Sequence, residues 1–110
     1  MKPYAVDRER WSKLTIFEQL GNISSEVGRS FSAKRRGDQA DSLRAVYRAI
    51  DLFDATVDAL IKRRSPKSKE VLRAKEEYLK TFFVSDPEPK QIVSLERYFM
   101  QFAVAARLQR

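Results

Sequence analysis

The stretch that decides the fold is "LRAVYRAIDLFDATVDALIKRRSPKSKE", residues 43–70. Its first part has apolar residues at alternating spacings of three and four, which is typical of one buried face on an α-helix. Five cations follow within eight residues, and Ser65 and Pro66 among them signal the start of a new helix. The stretch therefore predicts a long helix, a tight connection and a second helix. The buried face comprises Leu43, Val46, Ile50, Phe53, Val57 and Leu60.

Three further boundaries complete the helical pattern. Thr15 and Glu18 have the form of a capping box, and Gly37 is placed where a helix C-terminus needs a left-handed residue. Asp38 is a suitable cap for the following helix. Predicted helices therefore cover residues 16–36, 39–63, 66–83 and 89–108, and residues 7–11 leave room for an additional short turn.

No segment alternates between apolar and polar residues with a period of two, so strands are not expected. Four amphipathic helices joined by short connections favour an all-α fold, an up-down-up-down antiparallel four-helix bundle. A chain of 110 residues is large enough to form one such domain. We therefore expect a single domain over residues 1–110.

The composition excludes several kinds of chemistry. The chain has neither Cys nor His, which removes disulfides, thiolate metal sites and the usual general base near neutral pH. It also lacks a P-loop, a dinucleotide fingerprint and a nucleophile elbow. We therefore expect no enzymatic activity, no cofactor and no metal site.

The N-terminus lacks the apolar run of a signal peptide, and the longest nearly apolar stretch, residues 98–106, is too short to span a bilayer. We therefore expect a cytoplasmic protein that does not insert into membranes.

Positive charge is in excess. Lys and Arg total 22 against 15 Asp and Glu, which gives a net charge of +7. Such a balance in a small domain favours a polyanionic partner, with RNA or DNA first. In the predicted bundle the cations collect at one end, which we call the basic pole. Its members are Arg8, Arg10, Lys13, Lys62, Arg63, Arg64, Lys67, Lys69, Arg107 and Arg110.

The other end of the predicted bundle, the opposite pole, carries Lys34, Arg35 and Arg36. Acidic residues dilute the charge there. The alternative interpretation of both clusters is that cations are simply favoured at helix C-termini by the helix dipole. The acidic residues of the opposite pole are Asp38, Asp41, Asp86 and Glu88.

Two charged residues interrupt the apolar stripes of neighbouring helices. Asp54 lies in the stripe of the second long helix and Lys75 in that of the third. A buried unpaired charge is costly, so we expect these two residues to form a structural ion pair between the helices. The alternative is that Asp51, Asp54 and Asp58 bind a hard cation through oxygen ligands alone.

The first long helix has small residues beside its apolar stripe. They include Gly21 and Gly28, although glycine inside a helix costs about 1 kcal/mol relative to Ala. We therefore expect another helix to pack closely against both glycines, with a ligand groove as the alternative. The set is Gly21, Ser24, Ser25, Gly28 and Ser32.

The last helix carries a second apolar stripe outside its core-facing side. Val93, Met100 and Val104 form this outer stripe, and Leu108 extends it. A second apolar stripe predicts a second contact surface, so we expect self-association through these residues. The alternative is that an N-terminal segment with Tyr4 and Trp11 covers the outer stripe.

The segments "WSKLTIFEQLGNISSEVGRSF" (11–31), "AVYRAIDLFDATVDALI" (45–61) and "YFMQFAVAAR" (98–107) are similar to a family of small prokaryotic helical proteins over nearly the whole chain. The layout and basic surface resemble, more distantly, the four-helix bundle proteins of 23S rRNA intervening sequences and the accessory variability determinant of diversity-generating retroelements. The second group forms homo-oligomers and binds nucleic acid and a reverse transcriptase. The resemblance implies an accessory role in a ribonucleoprotein or retroelement complex, with a reverse transcriptase as a protein partner by analogy.

The sequence thus predicts a non-enzymatic accessory protein that binds RNA or DNA through phosphate contacts at the basic pole. The alternative is a homo-oligomeric protein–protein adaptor that uses the outer stripe.

Overall fold

The computed structural model describes residues 6–84 and 88–108. The described chain is all-helical and contains no strand, which confirms the all-α class. The short turn that the sequence left open at residues 7–11 is present as a helix, so the described residues form five helices rather than four. They are α1 (Arg8–Ser12), α2 (Ile16–Arg35), α3 (Gln39–Lys62), α4 (Lys67–Phe82) and α5 (Pro89–Leu108).

The helix starts follow from local capping. The Thr15 hydroxyl accepts from the Glu18 N–H at 3.1 Å, and the Glu18 carboxylate accepts from the Thr15 N–H at 2.9 Å, which completes the predicted capping box. Asp38 caps α3 by accepting from the Asp41 N–H. The Ser65 hydroxyl accepts from the N–H of Lys67, where α4 begins, one residue later than predicted.

An aromatic cluster forms the centre of the core. Tyr78 of α4 is fully buried, and its ring centroid lies 5.7 Å from that of Phe31 on α2 and 6.1 Å from that of Phe53 on α3. Phe53 also contacts Phe99 of α5, with ring centroids 5.7 Å apart. One set of contiguous rings therefore joins all four long helices.

The Tyr78 hydroxyl is also satisfied inside this core. It donates to the Ser30 hydroxyl at 2.7 Å, and Ser30 in turn donates to the Val27 carbonyl at 2.7 Å. Burial raises the pKa of Tyr78 far above its ordinary value of 10.0, because the phenolate would lose its hydration. The folded protein therefore holds this proton more tightly than the unfolded chain does.

We expect Tyr78→Phe to lower the free energy of unfolding by about 1–2 kcal/mol at neutral pH, since Ser30 loses its buried partner. The wild-type free energy of unfolding should fall as pH rises above the ordinary tyrosine pKa of 10.0, where the unfolded chain begins to release this proton. Urea denaturation on both sides of that pH should show a smaller fall in Tyr78→Phe.

The control is Tyr47→Phe, because Tyr47 is exposed. Its free energy of unfolding at neutral pH should stay within about 0.5 kcal/mol of the wild type. An equal loss in both variants would contradict the role assigned to the Tyr78 hydroxyl.

Helix α1 is fastened against α3. Trp11 is buried, and its indole N–H donates to the Thr56 hydroxyl at 2.9 Å. The Gln19 amide donates to the Trp11 carbonyl at 2.9 Å and holds the connection to α2. The proposed cover of the outer stripe is therefore wrong for Trp11, which packs on α3, and Tyr4 lies outside the described residues.

Helix α5 is less enclosed than the sequence predicts. It packs mainly on α2 and touches α4 over a short region, so among its inward residues Phe99 is buried whereas Ile92, Leu95, Phe102 and Ala106 are half-buried. On α4, Leu72 is exposed although its neighbour Val71 is buried. The two helices are thus separated by shallow grooves, which Leu95 lines on the α5 side.

The close helix approach expected at the glycines of α2 occurs at Gly21. A Cβ placed on Gly21 would lie 3.1 Å from Ala103 Cα on α5, whereas a Cβ on Gly28 would meet nothing within 4 Å. The expectation was therefore wrong for Gly28, because α5 leaves open space at that position.

This difference gives opposite expectations for two matched substitutions. Gly28→Ala should raise the free energy of unfolding by about 0.5–1 kcal/mol, since it gains helix propensity without a clash. Gly21→Ala should lower it, because the backbone of Ala103 would have to move. Thermal and urea denaturation of both variants measures the difference, and equal stabilisation by both would contradict it.

Candidate nucleic-acid interface

The described cations of the basic pole come from α1, α3, α4 and α5 and from the connections that follow α1 and α3. Every described member is exposed, while Arg110 lies outside the described residues. Arg8 and Arg10 lie on α1, Lys13 follows it, and Arg107 lies in the last turn of α5. The remaining members, Lys62, Arg63, Arg64, Lys67 and Lys69, span the end of α3 and the start of α4.

Contacts between elements bring several of these positions to the same end of the molecule. The Arg63 guanidinium donates to the Ser12 carbonyl at 3.0 Å, which joins the end of α3 to the end of α1. The Lys67 ammonium lies 5.8 Å from the Phe17 ring centroid, which joins the start of α4 to the start of α2. Ala103 packs beside Gly21, so the later half of α5 lies near the same end of α2.

Arg8 does not fit the role of a phosphate ligand. Its guanidinium lies 3.0 Å from an Asp58 oxygen and 3.5 Å from an Asp51 oxygen, and both carboxylates belong to α3. The local charge of Arg8 is therefore already balanced. Among the described residues, the other members of the basic pole make no ion pair with a carboxylate: Arg10, Lys13, Lys62, Arg63, Arg64, Lys67, Lys69 and Arg107.

The sequence interpretation did not count the carboxylates near this end. Most of them accept hydrogen bonds from other groups of the protein. Asp7 accepts from the Glu9 and Arg10 N–H groups and caps α1. Glu18 belongs to the capping box, and Glu70 accepts from the Tyr98 hydroxyl at 3.0 Å. These carboxylates stabilise helix starts and a helix contact, so they do not pair with the basic pole's exposed cations.

The opposite pole differs in that each of its three cations has a partner. The Lys34 ammonium donates to the Phe82 and Val84 carbonyls and lies 4.7 Å from the Phe82 ring centroid. Arg35 pairs with Glu96 at 3.5 Å, and Arg36 pairs with Asp41 at 3.3 Å. Asp41 dilutes the positive charge of the opposite pole, as expected, whereas Asp86 lies outside the described residues. The two poles therefore differ in how many cations remain available to a ligand.

Arg64 has a backbone conformation that favours glycine. Its φ is +55°, and it ends α3 with the same pair of hydrogen bonds with which Gly37, at φ +76°, ends α2. In each motif the next residue donates to a carbonyl five positions earlier: Ser65 to Leu60 and Asp38 to Ala33. An arginine thus stands where the matching motif at the opposite pole has glycine.

Because glycine lacks the Cβ that strains this conformation, Arg64→Gly should raise the free energy of unfolding by about 0.5–1 kcal/mol. The same variant should bind nucleic acid more weakly, since it removes one cation. Gly37→Ala is the matched control and should be destabilising for the reverse reason. Denaturation and binding measured on the same samples check both effects, and destabilisation by Arg64→Gly would contradict the assignment of strain.

The Asp54–Lys75 contact expected from the sequence is present, with 2.7 Å between the Lys75 ammonium and an Asp54 oxygen. The pair is not deeply buried, because the Asp54 side chain is 45% exposed. The expected burial inside the stripes was therefore wrong, since the pair lies at the outer margin of the α3–α4 contact. Such a pair contributes up to about 1 kcal/mol, far less than a buried one.

The acidic residues of α3 do not form a metal site in the described chain. Lys75 binds Asp54, whereas Arg8 binds Asp51 and Asp58, and the Val6 N–H also donates to Asp51 at 2.6 Å. No group of three or more potential metal ligands comes together among residues 6–84 and 88–108. The carboxylates of this face instead fasten α1 and α4 to α3.

The chemistry that the basic pole can supply is therefore the binding of anions. Burial and the adjacent Glu70 carboxylate raise the pKa of Tyr98 to about 12, so its hydroxyl remains protonated and keeps donating to Glu70. The exposed cations offer guanidinium forks and ammonium groups, which are suited to phosphate oxygens.

The outer stripe of α5 is exposed, and it lines an open groove of about 930 Å³. Val93 and Met100 are each 51% exposed and Val104 is 41% exposed. Sequence reasoning missed that Arg35 and Arg97 line the same groove. The sequence did indicate the position of Arg97, because it follows Val93 by four residues and precedes Met100 by three, which places it on the same face of the helix.

Comparison of the chain with protein-family models, with curated proteins and with solved structures finds no match. None of the helices in the described part of the chain is long and apolar enough to cross a membrane. The assignment of function therefore depends on the geometry of the basic pole.

Proposed function

We propose that this chain is a non-enzymatic accessory protein that binds the phosphate backbone of RNA or DNA through its basic pole. The observation that carries the proposal is the set of exposed cations with no carboxylate partner among the described residues. Uncompensated cations gain more from a phosphate contact than cations that must first leave a carboxylate.

We further propose that the four long helices form an up-down-up-down antiparallel bundle. The contact of Ala103 with Gly21 favours an antiparallel arrangement of α5 and α2, and the contact of Lys34 with Phe82 favours a parallel arrangement of α4 and α2. This topology would gather the end of α3, the start of α4 and the end of α5 at the basic pole.

The backbone of Arg64 supports the same function. A left-handed arginine costs stability that glycine would avoid, and strained residues are concentrated at functional sites. We propose that the position keeps arginine because its side chain contributes to phosphate binding.

Base-specific recognition is not favoured. Trp11 is buried and bonded to Thr56, and the Lys67 ammonium lies over the Phe17 ring, so neither aromatic ring offers a stacking platform. We therefore propose binding with little sequence preference, as part of a ribonucleoprotein or retroelement complex in the cytoplasm. The reverse transcriptase partner implied by the resemblance would occupy a different surface.

The outer stripe of α5 favours a second candidate function, that of a protein–protein adaptor. Its apolar side chains are exposed and line an open groove. The occupant of this surface is either a second copy, as expected from the sequence, or a different protein, and sedimentation velocity of the parent protein distinguishes the two.

The triple variant Lys62→Ala, Arg64→Ala, Lys69→Ala tests the main proposal. None of these side chains has an ion-pair partner among the described residues, so the fold should be kept. Each lost phosphate contact makes the slope of log affinity against log salt shallower by about 0.7–0.9, so the total change should be about 2–3. Fluorescence anisotropy with RNA and DNA of unrelated sequence measures this slope.

The charge-matched control is Arg36→Ala, Lys80→Ala, Lys90→Ala, which also removes three exposed cations. Lys34 is left intact because it binds the Phe82 and Val84 carbonyls. The control should change the slope by less than about one unit. Equal changes in both triple variants, or no binding by the parent protein near about 100 mM salt, would overturn the proposal.

A further inference from the structure

An open, largely apolar groove runs beside α5, and its chemistry is distinct from that of the basic pole. Val93, Met100 and Val104 line it together with Ile92 and Pro89. The three residues of the outer stripe have the spacing of anchors on one helix face. A ligand that fits this surface must therefore present a complementary apolar ridge.

Helix α2 contributes one of the residues that line this surface. Arg35 lines the groove and shares a helix face with Gly28, which is seven residues earlier. Nothing lies within 4 Å of a Cβ placed on Gly28, and the neighbouring Ser25 and Ser32 are also small. The surface of α2 at these positions therefore has only small side chains, and it leaves room for an additional helix beside α5.

The charges that line the groove select the kind of occupant. Arg97 is exposed within the outer stripe and makes no ion pair among the described residues. The acidic residue that lines the groove, Glu96, is already paired with Arg35 at 3.5 Å. The surface is thus apolar along its length and has an uncompensated positive charge, so an acidic ligand is complementary to it.

A second copy of this chain is a poorer match. A two-fold contact through the outer stripes would bring the Arg97 side chains of both copies close to one another, and Lys90 and Arg107 add positive charge to the same helix. The chain also has a net charge of +7. Like charges that face each other across an interface oppose association.

We propose that the groove between α5 and α2 binds an acidic amphipathic helix of a different protein. Apolar residues at positions i, i+3 or i+4, and i+7 of that helix would pack on Val93, Met100 and Val104. Its carboxylates would pair with Arg97. None of the residues that line the groove belongs to the basic pole, so the protein could hold a protein partner and a nucleic acid at the same time.

The test uses a labelled synthetic helix of about 18 residues, with leucines at these positions and glutamates beside them. A scrambled peptide of identical composition has the same charge but no apolar ridge. Fluorescence anisotropy at about 150 mM salt should show binding of the ordered peptide that is at least about tenfold tighter than that of the scrambled peptide.

Three protein variants locate the binding. Val93→Ser with Met100→Ser should weaken binding of the ordered peptide by at least about tenfold, whereas Tyr47→Ser with Ile61→Ser, at exposed apolar positions outside the groove, should leave it unchanged. Arg97→Glu should weaken binding of the glutamate peptide and strengthen binding of a lysine version of it. Circular dichroism checks that each variant keeps its helicity.

Three results would overturn the proposal. The first is equal binding of the ordered and scrambled peptides, which would indicate general attraction to a basic protein. The second is no measurable binding of the ordered peptide at about 100 μM. The third is a dimer of the parent protein in sedimentation velocity that Val93→Ser with Met100→Ser dissociates, since the groove would then belong to a second copy. A negative result in the peptide experiment would not count against nucleic-acid binding by the basic pole, because the peptide and salt-slope experiments change different residues.

Discussion

The burial of Tyr78 is the constraint on which the rest of the structure depends. Its ring contacts Phe31 and Phe53, and its hydroxyl is bonded to Ser30, so one side chain fixes α4 against α2 and α3. Phe53 extends the contact to Phe99 of α5. Because the four long helices meet at these rings, the positions of their ends follow from the core. The exposed cations at the helix ends are therefore held by a packed aromatic cluster rather than by contacts among themselves.

The distribution of partners, more than the number of charges, distinguishes the surfaces of this molecule. Lys34, Arg35 and Arg36 each contact an acceptor of the protein itself. Arg8 is used in the same way, since Asp58 binds it and thereby fastens α1 to α3. Arg63 donates to the Ser12 carbonyl, whereas Arg10, Lys13, Lys62, Arg64, Lys67, Lys69 and Arg107 have no carboxylate or carbonyl acceptor among the described residues. The groove beside α5 shows the same contrast, because Glu96 pairs with Arg35 whereas Arg97 makes no ion pair within residues 6–84 and 88–108.

Features set by neighbouring residues could be predicted from the sequence. The capping box at Thr15, the cap at Asp38 and the left-handed Gly37 each depend on a few adjacent positions, so the helix boundaries differ from the prediction by at most one residue. Long-range features could not be predicted. The bond from Trp11 to Thr56 and the pairing of Arg8 with Asp58 join residues far apart in the chain. Amphipathic periodicity shows which face of a helix is apolar, but it does not determine how closely α4 approaches α5.

The proposed role of the basic pole predicts which backbone amide groups change their chemical shift when a nucleic acid is added. Titration of the isotope-labelled protein with a short duplex, followed by amide chemical shifts, measures this position by position. The largest changes should occur between Lys62 and Lys69, at Lys13 and at Arg107, with small changes between Lys34 and Arg36. Largest changes at the opposite pole or along α5, or changes spread evenly over all cations, would contradict the central claim that unpaired cations at one end form the binding surface.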